Sequence, residues 1–268
     1  MRAIPLLALL SLAAAPAAAQ GIVFPVRCVG ECPADVRLPR TLSLDTVKVW
    51  ANVRHGRATT FVRHHIRNES SSAVAAAFFF PLPADAVISS ISVYDGTRVE
   101  QYNDWSGPSE SRWIAEGIAR DRQDAWLDAY AGMMLVHAPV LYIPAHGTRT
   151  LQIDYTQPVR AEDGVYVYRY PLSAGAGVAP IPHLTVGATV TTESGFRDLH
   201  SPSHAIDVEW GSEIGPCPPE AACGAMSVPS RREKVVRFTA GAQDRARDFE
   251  LRYTLQDDAA ERRTSSVP

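Results

Sequence analysis

Val47-Lys48-Val49-Trp50-Ala51-Asn52-Val53 alternates small apolar side chains with polar or large ones at every step. A period of two puts the four apolar residues on one face of an extended chain and Lys48, Trp50 and Asn52 on the other, the pattern of a half-buried strand. The alternation returns in Val87, Ser89, Ile91 and Val93, in Leu151, Ile153 and Tyr155, in Val165 and Val167, and in Leu184, Val186, Ala188 and Val190. Val235-Val236-Arg237-Phe238 and the run from Phe249 to Leu255 continue it. Turn signals separate these segments: Asn68-Glu69-Ser70-Ser71-Ser72, Asp95-Gly96, His146-Gly147, Asp163-Gly164 and Ser194-Gly195. Many short strands so spaced predict a mainly β fold, an antiparallel two-sheet β-sandwich. One stretch, Pro108 to Ala131, breaks the pattern. There Trp113, Ile114, Ile118, Trp126, Leu127 and Tyr130 recur with helical spacing, Glu116 can pair with Arg120, and Gly132 offers a stop. It predicts one inserted α-helix whose tryptophans pack onto a sheet.

The chain has 268 residues, 46% hydrophobic and 21% charged, enough for a sizeable core and too apolar for a mainly disordered state. Twenty-six Lys and Arg against 29 Asp and Glu give a net charge of -3, without the basic excess that would make nucleic acid the main partner. Met1-Arg2, the apolar Ile4 to Ala15 and Ala17-Ala18-Ala19 before Gln20 mark residues 1–19 as a secretory signal peptide. The mature chain is then exported, to the periplasm or the medium. No other apolar run approaches the about 20 residues that span a bilayer, so no transmembrane segment is expected in it.

Four cysteines fit an oxidising address. Cys28 and Cys32 lie in the lead-in, residues 20–41, and Cys217 and Cys223 in a proline-containing loop from Gly211 to Arg232. An even count predicts two disulfides, with three connectivities open. Local pairing is preferred because each pair brackets a turn-forming stretch, and neither spacing matches a zinc ribbon. The polar residues 257–268 read as a disordered tail.

The run Asn68 to Pro83, with Ala75-Ala76-Ala77-Phe78-Phe79-Phe80-Pro81-Leu82-Pro83 leading into Ala84-Asp85-Ala86-Val87, resembles the signature of the VIT (vault protein inter-alpha-trypsin) domain. Further similar motifs follow in order. They are Arg98-Val99-Glu100 after Asp95-Gly96, Ile143-Pro144-Ala145 ahead of Arg149 to Tyr155, and Tyr168-Arg169-Tyr170-Pro171-Leu172. Ser201-Pro202-Ser203-His204 and Arg247 to Leu251 resemble the extension that usually follows. The resemblance spans about Leu42 to Leu255 and implies a VIT-like β-sandwich core at 42–192 with a C-terminal β extension, carrying the Cys loop, at 193–256. It also implies protein–protein contact or scaffolding without catalysis. Two departures stand out. Ala119 to Tyr130 fits the family's helix pattern only loosely, and the metal-binding von Willebrand A domain that commonly follows has no counterpart here, so metal-dependent adhesion is not implied.

Motifs for nucleophilic or phosphate chemistry are missing from the sequence. His64-His65 sits in a strand, where adjacent side chains point to opposite faces. His200 and His204 are separated by Ser201-Pro202, which breaks any helix that would align them. Asp121, Asp124 and Asp128 lie among Arg120 and Arg122 as a solvated face. No catalytic residue, cofactor or metal site is therefore assigned. The alternating Tyr166, Tyr168 and Tyr170 are the candidate interaction surface if they face outward; otherwise they pack beneath the helix. The expectation is an exported, non-catalytic VIT-like protein that contacts another protein or an envelope component. The alternatives are a hydrolase with an unrecognised His/Asp site, or a portion of a longer VIT and von Willebrand A adhesin.

Overall fold

The computed structural model describes residues 21–31, 33–34, 41–102, 105, 107–122, 134–172, 181–215, 226–240 and 247–256. The strands of the first half are β1 (Ile22–Cys28), β2 (Leu42–Arg54), β3 (Arg57–Asn68), β4 (Val74–Leu82), β5 (Val87–Tyr94) and β6 (Val99–Tyr102). The helix α1 (Pro108–Arg122) follows, then β7 (Met134–Ile143), β8 (Thr148–Pro158), β9 (Ala161–Glu162) and β10 (Val165–Tyr170). The remainder are β11 (His183–Thr191), β12 (Phe196–His200), β13 (Asp207–Gly215), β14 (Met226–Ala240) and β15 (Phe249–Leu255).

The mainly β fold is observed, with one helix among the described residues, whose strands form three sheets rather than two. Eight make the largest, in the order β13-β14-β11-β2-β3-β8-β5-β6. Pairing in it is antiparallel except where β11 lies parallel to β2. Two smaller antiparallel sheets, β1-β4-β7 and β12-β15-β10-β9, share no hydrogen-bond ladder among the described residues. Both contact one face of the large sheet. His64 and Tyr155 of that face meet Phe80 of β4 at 5.4 and 6.1 Å, while Phe238 stacks on Phe249 of β15 at 5.9 Å. The boundary expected between 192 and 193 does not separate sheets, since β14 pairs with β11 and β15 with β10.

The predicted alternation is what builds this core. Val47, Val49, Ala51 and Val53 are buried, as are Leu151, Ile153 and Tyr155, and Leu184, Val186, Ala188 and Val190. Val87 departs from it and is 65% exposed, because a bulge between Ile88 and Ser90 reverses the facing of everything before it. The apolar run of β4 is buried at all nine positions. Ala76, Phe78 and Phe80 face the large sheet, while Ala77 and Phe79 join Phe24, Leu135 and Ala115 of α1. A strand covered on both faces needs no polar side, which explains its unbroken apolar sequence.

The helix is seen over Pro108–Arg122, within the predicted stretch, and Trp126, Leu127, Tyr130 and Gly132 lie outside the described residues. Trp113 does not pack onto a sheet: it is 75% exposed, because Ala115, with Ile114 and Ile118, forms the seated stripe. The tyrosine expectation is also corrected. Tyr168 and Tyr170 are fully buried, neither on an outer patch nor beneath α1, since β10 turns them toward the large sheet, where the Tyr168 hydroxyl meets Thr60 Oγ1 at 3.1 Å. Tyr166 is half-buried and stacks on Tyr253 at 5.0 Å. Burial pushes the Tyr155, Tyr168 and Tyr170 hydroxyls well above the usual tyrosine range, so they remain neutral.

Asn68 ties the turn after β3 to the end of β7. Its Nδ2 donates to the carbonyls of Ser72, Ile143 and Pro144 at 2.8, 3.2 and 2.9 Å, and its Oδ1 accepts from Ser70 N and Oγ at 3.0 and 2.7 Å. Two segments singled out in the sequence, Asn68 to Ser72 and Ile143-Pro144, thus meet at one buried amide. Cys28 is buried at the end of β1. Cys32, Cys217, Cys223, the predicted signal peptide and the tail lie outside the described residues.

Candidate functional site

With one face of the large sheet committed to the core, the side chains that alternate away from it form a second surface. Register puts them in rows across the strands. One row runs Thr239, Thr185, Lys48, Arg63, Gln152, Ser92 and Gln101, from β14 to β6. The adjacent row runs Arg237, Gly187, Trp50, Phe61, Asp154 and Ser90. The central strands β11, β2, β3 and β8 have a neighbour on both sides, so the floor offers side chains and no free backbone edge.

Lys48 and Arg63 stand directly opposite one another. Like charges so placed cost a sheet about 0.2–1 kcal/mol, and among the described residues neither cation forms an ion pair. Arg63 is held in place. Its Nε donates to Gln152 Oε1 at 2.6 Å, Gln152 Nε2 donates to Asp154 Oδ1 at 2.8 Å, and Ser90 Oγ donates to the other oxygen of Asp154 at 2.8 Å. The terminal guanidinium nitrogens are not used in this relay. Arg237 reaches Glu209 at 2.6 Å near the β14 end. The local field is positive: His65, whose Nδ1 is 3.0 Å from Thr150 Oγ1, has its pKa lowered by burial and then by Lys48 and Arg63, against a smaller opposing effect of Asp45.

Trp50 supplies the apolar part of the floor. A Cβ at Gly187 would fall 2.2 Å from Cζ3 of its indole, so the ring occupies the space that a side chain on β11 would fill. Only glycine there allows the indole to lie over the neighbouring strand. Phe61 is its cross-strand neighbour on β3. Two depressions result, of about 490 Å3 over Trp50 and Phe61 and about 580 Å3 over His65 and Thr150, and they share Lys48, Arg63 and Gln152. A third, of about 440 Å3, lies at the rim beside Tyr142, with Arg98 and Arg149 balanced by Asp95 and Glu100.

The histidines read from the sequence do not assemble a site. His64 points into the core against Phe78 at 4.8 Å while His65 points out. His200 Nδ1 is 2.6 Å from Asp198 on the surface. His204 is buried against Phe238 at 4.6 Å, and its Nδ1 meets Ser203 Oγ at 2.8 Å, a hydroxyl that already accepts from Glu250 N at 2.8 Å to hold β15. Among the described residues no cluster of three or more His, Cys, Asp or Glu could hold a metal, and no helix is long and apolar enough to cross a membrane.

The outer face was not assigned from sequence. The alternation around Lys48 and Trp50 carried half of the signal; the pairing register that sets Arg63 beside Lys48 and Gly187 beneath Trp50 carried the other half.

No protein-family model matches this chain, and no curated protein matches it at a significant level. Its structure is similar to that of a Legionella pneumophila protein proposed to bind a nutrient, with a TM-score of 0.49 and 13% identity, over 88% of this chain and 72% of that one. It is also similar to an M1 zinc metallopeptidase from Deinococcus radiodurans, with a TM-score of 0.37 and 13% identity, over 80% of this chain and 42% of that one. These likenesses concern chain path only.

Proposed function

We propose that this chain is an exported, non-catalytic binding module of VIT-like type that engages an anionic component of the cell envelope through the outer face of its large sheet. The two smaller sheets act together as the opposing layer, so the fold works as a sandwich with one face free. The observation that carries this reading is the Lys48–Arg63 pair: a sheet that sets two unneutralised cations side by side gives up stability that an anionic ligand restores. The Arg63–Gln152–Asp154–Ser90 relay holds the guanidinium in place before binding, which lowers the ordering cost of association. The meeting of two signature segments at Asn68 supports the VIT-like part of the reading.

The test is sedimentation of the purified mature protein with isolated envelopes. Salt-sensitive co-sedimentation is expected from wild type, with at least a tenfold loss in a K48E/R63E variant whose melting temperature is unchanged. Equal sedimentation of the two proteins, or none from wild type at low salt, refutes the proposal.

A further inference from the structure

The chemistry of the face narrows the ligand further, on the footing of the binding reading above. A row from β14 to β5 crosses six strands, about 24 Å at the usual strand spacing, which suits a chain-like ligand rather than a single small molecule. Its floor is a tryptophan seated flush by Gly187, flanked by cations and then by hydroxyl and amide side chains such as Thr185, Gln152 and Ser92. We infer that this face takes a linear acidic polysaccharide, its carboxylates on Lys48 and Arg63 and the C–H face of one sugar ring on Trp50.

Each part of the surface answers one part of that ligand. Free guanidinium nitrogens of Arg63 accept a carboxylate as a charge-assisted pair, and Lys48 meets the same group as a point charge. An indole offers a broad apolar plane to the C–H groups of a pyranose, whose hydroxyls turn outward to the amide and hydroxyl side chains. An acidic peptide fits less well. Peptides bind sheets by adding to an edge, and the strands beneath this face have both edges used. A nucleic acid would need cations spaced along its phosphates, whereas here they gather at Lys48, Arg63 and the Glu209-bound Arg237, and Asp154 closes the other side.

The test is titration of the mature protein, by calorimetry at about 10 mM ionic strength where charge effects are least screened. The probes are a uronate oligosaccharide, a neutral oligosaccharide of equal length, polyglutamate and oligothymidylate. The uronate oligomer should bind, at least tenfold more tightly than each of the other three. K48A/R63A should weaken it at least tenfold, and W50T at least fivefold, with W50F intermediate and serving as the variant that keeps an aromatic ring should W50T fail to fold. Polyglutamate, oligothymidylate or the neutral sugar binding as tightly as the uronate, or W50T and W50F both leaving its affinity unchanged, overturns the polysaccharide inference while leaving the envelope-binding reading intact. K48E/R63E sedimenting with envelopes like wild type overturns the reading itself.

Discussion

Replacing Asn68 by alanine tests whether one buried amide holds the turn after β3 to the end of β7. The substitution removes five hydrogen bonds, two made with Ser70 and one each to the carbonyls of Ser72, Ile143 and Pro144. At about 1 kcal/mol net per bond the loss would be about 5 kcal/mol. Two partners are partly rescued: Ser72 O keeps Ser70 Oγ at 2.9 Å, and Pro144 O keeps Gly147 N at 3.0 Å. The working figure is therefore about 3–4 kcal/mol, which for a chain of this size lowers the melting temperature by about 10 °C. Urea unfolding is the assay, with a lower midpoint and an unchanged slope expected. N68D sharpens it. The new carboxyl faces three carbonyls in a buried site, so its folded-state pKa lies above its unfolded value. Stability then falls as pH rises from about 4, so N68D should exceed N68A in acid, where the neutral carboxyl still accepts from Ser70 and donates once, and lose that margin toward pH 7. An N68A variant within about 0.5 kcal/mol of wild type would refute the reasoning.

Gly187→Ala should force the Trp50 indole off β11, costing about 1–3 kcal/mol and changing tryptophan fluorescence; an unaltered spectrum with unaltered stability would contradict the packing. Asp95 should titrate at about 2 by NMR, because the Arg98 and Thr97 backbone amides and the Thr97 hydroxyl hold its carboxylate charged. With the folded pKa below the unfolded value of 3.8, its contribution is present above that pH and fades as pH falls through about 2, and a midpoint near 4 would show the turn open. T60V and Y168F should each destabilise, with a coupling of about 1 kcal/mol in a double-mutant cycle; additive effects would mean the 3.1 Å contact is not a bond.

Period-two patterning located the strands because burial on one face is a local property, visible at Val47, Val49, Ala51 and Val53 without knowing any partner. It failed at Val87, where a bulge that leaves no mark in the sequence reverses the facing. It also left out the hairpin between β2 and β3, whose turn pairs His55 with Gly56, both at positive φ, rather than using the commoner Asn-Gly or Asp-Gly. The tyrosines of β10 and the sheet count share a cause. Alternation says that a strand has two faces but not which layer covers each, and Tyr168 was settled by β10 packing against β3 through Thr60. The candidate site was the least legible part. Lys48 and Arg63 are fifteen positions apart, and only pairing register makes them neighbours.

The parallel pairing of β11 with β2 imposes an order of assembly. β2 and β3 can zip locally, but the other edge of β2 stays open until residues 183–191 arrive, and β14 and β13 can join the sheet only through β11. Non-local closure of this kind is slow, and an N-terminal fragment would present an apolar strand with unsatisfied backbone groups. The large sheet is therefore completed only once residues 183–191 pair with β2, so the face bearing Arg237, Gly187 and Lys48 comes into being only in the finished molecule.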